Sequence, residues 1–206
     1  MKRSFLVSEI SRNSWQMLKP QLFSFAGLFV VYIILMTFLR MLLSPTSEAF
    51  WVQSLISSVV TIFLSIIFTL GYLKNFFLTM DGEEPQLAVF KEVFPLSGRY
   101  FVAEIVYALI VIIGLCLFII PGIYLGLRLQ YYRAAIVEDN KGAIESLKYS
   151  WCLTKGYVFQ LFVLGIVMIL LVLVGLLALV IGFFITYPVI QMMYVYSYRI
   201  LKSNYE

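Results

Sequence analysis

Histidine is missing altogether, charged residues make up only 13% of the chain, and just 2 cysteines occur in 206 residues. The first absence excludes imidazole zinc sites and histidine acid–base catalysis. The second excludes an ordinary soluble surface, which carries roughly a quarter charged residues. Cys116 lies in an apolar run and Cys152 in an amphipathic one, neither beside a metal-ligand type, so no disulfide or metal centre is expected. No cofactor is expected either. G-x-S-x-G, P-loop and dinucleotide patterns are absent, and the carboxylates at Asp81-Gly82-Glu83-Glu84 sit in turn chemistry that reads as a solvated loop. These gaps argue against an enzyme.

What is present is apolar: 62% of the residues are hydrophobic. A chain this small has too much surface for its volume to hide that excess, so lipid must be its solvent. A spanning helix needs about 20 mostly apolar residues. The expected fold class is all-α, a polytopic membrane helical bundle with about six transmembrane segments, amphipathic interfacial helices and an internal repeat. The spans are expected at about 21–43, 49–73, 100–120, 122–137, 157–180 and 183–200, within one integral membrane domain covering 1–206. Ser44–Glu48 reads as the first turn. Pro121-Gly122 reads as a sharp turn after the third span, because proline removes a backbone donor. Gly156–Tyr198 is charge-free, too long for one helix and suited to two, with the turn near Gly182. Met1–Pro20 is polar and is followed by no small-residue cleavage site, so the first span is expected to be retained.

Basic residues number 15 against 11 acidic, a net +4. With the N-terminus inside, every Lys and Arg except Arg40 falls on the cytoplasmic side or its helix ends. That bias places both termini in the cytoplasm, and the location expected is a bacterial inner membrane. The charge thus fits lipid headgroups rather than nucleic acid.

Glu9–Pro20 (E-I-S-R-N-S-W-Q-M-L-K-P) and Glu145–Gly156 (E-S-L-K-Y-S-W-C-L-T-K-G) align on Ser-Trp, and each leads into a pair of apolar runs. Interfacial helices are expected at 4–19 and about 143–155. In the first, Leu6, Ile10 and Met17 oppose Glu9, Arg12, Gln16 and Lys19; in the second, Ile144, Leu147 and Trp151 oppose Glu145, Lys148 and Lys155. A shorter middle copy at about 86–94 places Leu87, Phe90 and Phe94 on one face. The expected architecture is three units, each an interfacial helix followed by two membrane segments.

The stretches I-P-G-I-Y-L-G-L-R-L (Ile120–Leu129), A-A-I-V-E-D-N (Ala134–Asn140) and A-I-E-S-L-K-Y-S-W-C-L-T-K-G (Ala143–Gly156) resemble an uncharacterised bacterial integral membrane family. It is the one related to the membrane domain of glycerophosphoryl diester phosphodiesterase. The resemblance implies an inner-membrane protein of about six spans. It implies no phosphodiesterase activity, because that chemistry belongs to a separate soluble domain whose histidines are lacking here.

The candidate intramembrane polar site is Glu104, Arg128 and Arg133. Arg128 reads either as a substrate-binding or phosphate-binding arginine or as a structural one bonded to carbonyls freed by Pro121. Glu104 and Arg133 are expected at similar depth as a buried pair, structural or proton-coupling. Trp15, Lys19, Lys148, Trp151 and Lys155 are candidate contacts for anionic headgroups at the cytoplasmic face, or plain interfacial anchors. Gln130, Gln160 and Gln191 suit interhelical hydrogen bonds. The other partner expected is a membrane protein or a second copy of the chain. The functional expectation is a non-enzymatic lipid-binding or scaffolding protein of envelope homeostasis; the competing one is a small transporter or lipid translocator built around Arg128.

Overall fold

In a bilayer a backbone amide has no water to bond, so helices that satisfy their own hydrogen bonds are the economical solution for apolar runs. The computed structural model describes residues 5–43, 50–178 and 181–206, and among them every regular element is helical. The expected turn at Ser44–Glu48, the ends of two expected segments (Ser4 and Ala49) and residues 179–180 lie outside the described residues.

The helices are α1 (Val7–Leu18), α2 (Leu22–Leu42), α3 (Phe50–Met80), α4 (Val89–Glu92), α5 (Ser97–Leu117), α6 (Ile119–Leu129), α7 (Tyr132–Asp139), α8 (Ala143–Leu153), α9 (Val158–Leu177) and α10 (Ile181–Tyr205). Among the described residues four stretches are long and apolar enough to cross a membrane: Val7–Leu42, Trp51–Met80, Val89–Leu117 and Val158–Leu177. Only 17% of the most apolar window of each is buried in the protein, so most of that apolar surface faces outward. This is a membrane protein by length, composition and exposure.

α10 does not meet the apolarity of those four, and its surroundings explain why. It packs against α1, α2, α3, α8 and α9. Met192, Met193, Val195, Ser197, Tyr198 and Leu201 are buried along it. A helix wrapped by protein rather than lipid can carry tyrosine and serine. It runs on to Tyr205 rather than ending at 200, and it accommodates Pro188 without interruption.

Several boundaries differ from the sequence expectation. α5 ends at Leu117, and the chain turns at Phe118 in extended conformation, before Pro121-Gly122. Pro121 falls in the first turn of α6, where its missing N–H is no loss. Gly122 serves close approach: a Cβ there would meet the backbone nitrogen of Leu115 at 2.7 Å. Gly175 and Gly182 play the same part where α9 meets α10, with the added Cβ of Gly175 at 3.2 Å from the Phe183 backbone.

The expected fourth segment at 122–137 is two helices, α6 and α7, broken at Gln130–Tyr131. α6 has 11 residues, which at 1.5 Å each is about 16 Å, half of a hydrocarbon core about 30 Å thick. α3 continues past Lys74 to Met80 because Asn75, wholly buried, bonds the returning loop: its amide accepts from Gln86 N at 2.7 Å and donates to Gln86 O at 3.3 Å.

The expected middle amphipathic copy is only the four-residue α4. Val89 within it and Val93 just after it are buried, while the flanking Leu87 and Phe94 are exposed and Phe90 presses on Gly71. α1 likewise buries Ile10, Ser14 and Leu18, whereas Leu6 and Met17 face outward. The helix therefore uses one apolar edge against α10 and leaves the other to its surroundings.

Candidate functional site

The site begins with the break between α6 and α7. A helix interruption frees backbone groups that need partners when buried. α8 provides them. Ser150 Oγ donates to Arg128 O at 2.9 Å and accepts from Tyr131 N at 3.1 Å, and Thr154 Oγ1 donates to the same carbonyl at 3.0 Å. From α10, Tyr194 Oη donates to Gln130 O at 2.8 Å. The guanidinium of Arg128 lies 4.2 Å from the Trp151 ring centroid and 5.9 Å from that of Tyr124. Arg128 is only 4% exposed, and its Nε has no hydrogen-bond partner among the described residues. The two longest stretches of the resemblance thus hold each other: Tyr124 and Arg128 on one, Ser150, Trp151 and Thr154 on the other.

Beyond the break, α7 starts with Tyr132 and Arg133, which turn toward α5 and α3. Arg133 Nη2 donates to Glu104 Oε1 at 3.1 Å, and its Nε donates to Tyr132 Oη at 2.9 Å. The Tyr132 hydroxyl donates in turn to Glu104. The guanidinium also faces the Tyr132 and Tyr100 rings at 5.5 and 5.9 Å. The expected Glu104–Arg133 pair is formed but is not buried: the side chains are 37% and 38% exposed, respectively. Glu104 stands inside one of the four apolar stretches, so it is an ionisable group of the kind that marks functional polarity in membrane helices.

Two cavities meet at Arg133. One of about 320 Å³ is lined by Ser65, Thr69, Tyr100, Glu104 and Arg133, with Ile62, Ile66, Phe101 and Ile105. The other, about 230 Å³, lies among Thr69, Tyr72, Arg133, Tyr187, Gln191 and Tyr194 with apolar neighbours. A third space, apolar and about 290 Å³, adjoins the first and shares Ile62, Ile66 and Phe101 with it. Arg128 lines none of these three. The expected trio of Glu104, Arg128 and Arg133 therefore separates into a groove pair and an arginine held against α8. Sequence reasoning missed Tyr132, Ser65 and Thr69; Tyr132 had a signal, since it adjoins Arg133 in an apolar surround.

The expected headgroup contacts all lie on the surface. Trp15 is 40% exposed and Trp151 38%. Lys19, Lys148 and Lys155 are exposed. Behind them, α1 buries Ile10, Ser14 and Leu18, and the α8 segment buries Ser146, Ser150 and Thr154, two triplets at the same spacing around the aligned Ser-Trp pairs.

An ionic cluster lies outside the apolar stretches. Arg199 donates to Asp81 at 2.8 Å and to Glu138 at 2.8 Å, and Lys202 and the Tyr198 hydroxyl both bond Asp139. The hydrogen bond from Arg199, aided by its charge, holds the Asp81 carboxyl below its ordinary value against a smaller effect of burial. At the neighbouring turn, Arg99 donates to the Asn140 side chain at 2.9 Å and fixes that residue in its left-handed conformation at the end of α7. Among the described residues no group of three or more Cys, Asp or Glu is placed to hold a metal ion.

Residues 87–199 match a family described as a domain of unknown function, DUF7847. The chain belongs to this family. The DUF7847 match takes in α5 to α9 and most of α10, hence Glu104, the break, Arg133, and the Ser150 to Thr154 clamp. It leaves out residues 1–86, among them Trp15, Lys19, Ser65 and Thr69. The family description names no activity and no link to glycerophosphoryl diester phosphodiesterase. No curated protein and no solved structure matches the chain.

Proposed function

We propose that this DUF7847 protein is a non-enzymatic, multi-pass protein of the bacterial inner membrane that binds lipid and serves envelope homeostasis. In this reading α6–α7 and α10 join the four apolar stretches as fifth and sixth membrane segments, both termini are cytoplasmic, and α1, α4 and α8 open three repeated units. The resemblance to the phosphodiesterase-related membrane proteins points the same way.

The observation that carries the lipid reading is the shared build of α1 and α8. Each buries one edge in the protein and leaves a half-exposed tryptophan, with exposed lysine nearby. That arrangement suits a helix lying in a headgroup layer, where indole and ammonium both find partners. The test replaces Lys19, Lys148 and Lys155 together with Gln and measures anionic lipid co-purifying with the protein. A clear fall supports the reading; unchanged anionic lipid turns it toward scaffolding of a membrane-protein partner or a second copy.

The transport reading is favoured by a different observation, the two cavities that share Thr69 and Arg133. It moves the polar site of such a transporter from Arg128 to Arg133. With the exposed Cys116 and Cys152 first changed to Ser, a Thr69→Cys variant reacting with a membrane-impermeant maleimide from both faces of the membrane would support translocation. Reaction from one face or neither would favour binding alone.

A further inference from the structure

The groove at Glu104 and Arg133 carries one charge of each sign, close together and half open. We infer that it holds the headgroup of a zwitterionic phospholipid bearing a primary ammonium, with its acyl chain along the adjoining apolar space. This deepens the lipid-binding reading above and rests on it, while placing the specific site on α5 and α7 rather than at the interfacial lysines.

Charge complementarity selects the occupant. A lone anion approaching Arg133 would also meet the Glu104 carboxylate, bonded to the same guanidinium at 3.1 Å. A lone cation at Glu104 would meet the guanidinium. A headgroup whose phosphate and ammonium are two carbons apart offers each residue its counter-charge at once. Arg133 has the capacity: Nε and Nη2 are engaged, and Nη1 has no hydrogen-bond partner among the described residues. Glu104 keeps lone pairs beyond those used by Arg133 and Tyr132. A primary ammonium can donate to them, and such charge-assisted bonds are stronger than neutral ones. Ser65 and Thr69 add hydroxyls on the α3 wall. The space continuing from Ile62, Ile66 and Phe101 to Val59 and Phe63 is apolar, as an acyl chain requires.

The experiment reconstitutes the full chain in bilayers of equal phosphatidylethanolamine and phosphatidylglycerol, extracts it gently, and counts retained lipids by native mass spectrometry. Arg133→Gln and Glu104→Gln remove one charge each. Thr69→Phe fills the groove and leaves the ion pair in place, which covers the case in which an ion-pair variant fails to fold. The expected result is one phosphatidylethanolamine per chain, preferred over phosphatidylglycerol by about tenfold, the factor that one good charge-assisted bond supplies. Thr69→Phe and the folded charge variants should lose it.

Retention of phosphatidylglycerol instead, or of phosphatidylethanolamine indifferent to Thr69→Phe, would overturn this inference. If that retained lipid depended on Lys19, Lys148 and Lys155, the broader lipid-binding reading would stand without it. No retained lipid in the wild type, under conditions where the lysine variants also change nothing, would overturn both.

Discussion

Replacing Ser150 by alanine tests how the α6–α7 break is held. Its hydroxyl serves two backbone groups, Arg128 O and Tyr131 N, while Thr154 reaches only the first of them. In Ser150→Ala the Arg128 carbonyl keeps only Thr154, whose one proton it shares with Ser150 O at 2.8 Å, and the Tyr131 N–H is left without a partner at a residue only 1% exposed. An orphaned buried donor costs about 1–3 kcal/mol. Thr154→Val leaves Arg128 O bonded to Ser150 and should cost under about 1 kcal/mol, nearer the ~0.6 kcal/mol average for membrane hydrogen bonds. For a chain of this size each kcal/mol moves the midpoint by about 2–4 °C, so Ser150→Ala should lower Tm by roughly 2–12 °C and clearly more than Thr154→Val. Thermal unfolding of both variants in the same detergent, followed by near-ultraviolet circular dichroism, reads the difference. Equal shifts, or a larger one for Thr154→Val, would refute the assignment and leave the bond from Tyr194 to Gln130 as the feature that holds the break.

The remaining predictions use the same thermal assay. Gly122→Ala should lower Tm by several degrees because its Cβ meets the Leu115 nitrogen at 2.7 Å, whereas Gly165→Ala, with nothing within 4 Å, should be neutral or gain slightly from helix propensity. Trp151→Ala should cost about 2 kcal/mol by stripping the ring from a desolvated Arg128, whereas Trp15→Ala should leave stability nearly intact while weakening lipid association. Asp81 has a folded pKa below its ordinary 3.8, so its pairing with Arg199 contributes fully above that value and is lost as pH falls through the depressed one. Wild type should therefore lose more stability between about pH 5 and pH 3 than Asp81→Asn, and identical acid profiles would show that the pairing contributes nothing.

Apolar runs were readable because lipid imposes a length and forbids charge, and α2, α5 and α9 follow directly from that rule. Boundaries were less readable because the residues that mark a break act a few positions away from it. Pro121 is tolerated in the first turn of α6, so the chain turns at Phe118. Lys74 looked like an end to the second span, but only the long-range bond between Asn75 and Gln86 reveals why α3 continues. The pair of Glu104 with Arg133 was legible from opposite charge in two neighbouring segments. Its half-open setting was not, because Ser65 and Thr69 come from a helix far away in sequence. Arg128 and Arg133 lie five positions apart and look alike in composition. They sit on either side of the break at Gln130–Tyr131, Arg128 against the Trp151 ring and Arg133 paired with Glu104.

That break ties the motif to the groove. Without it α6 would run on along one axis, with Arg133 about 140° round the helix from Arg128, and α7 would not depart toward α3 and α5. The Ser-Trp-x-x-Thr segment of α8 supplies two hydroxyls for the interrupted backbone and an aromatic face for the arginine before it. The motif thus acts on the polar site at one remove, by setting the direction in which α7 departs. The matched DUF7847 residues contain this device and both charges, whereas the hydroxyl wall of the groove, Ser65 and Thr69 on α3, lies outside them. Changes in α3 can therefore retune what the groove accepts without disturbing the break or the ion pair. The effect of Thr69→Phe on lipid retention should accordingly come with little change in Tm, while Ser150→Ala should disturb both.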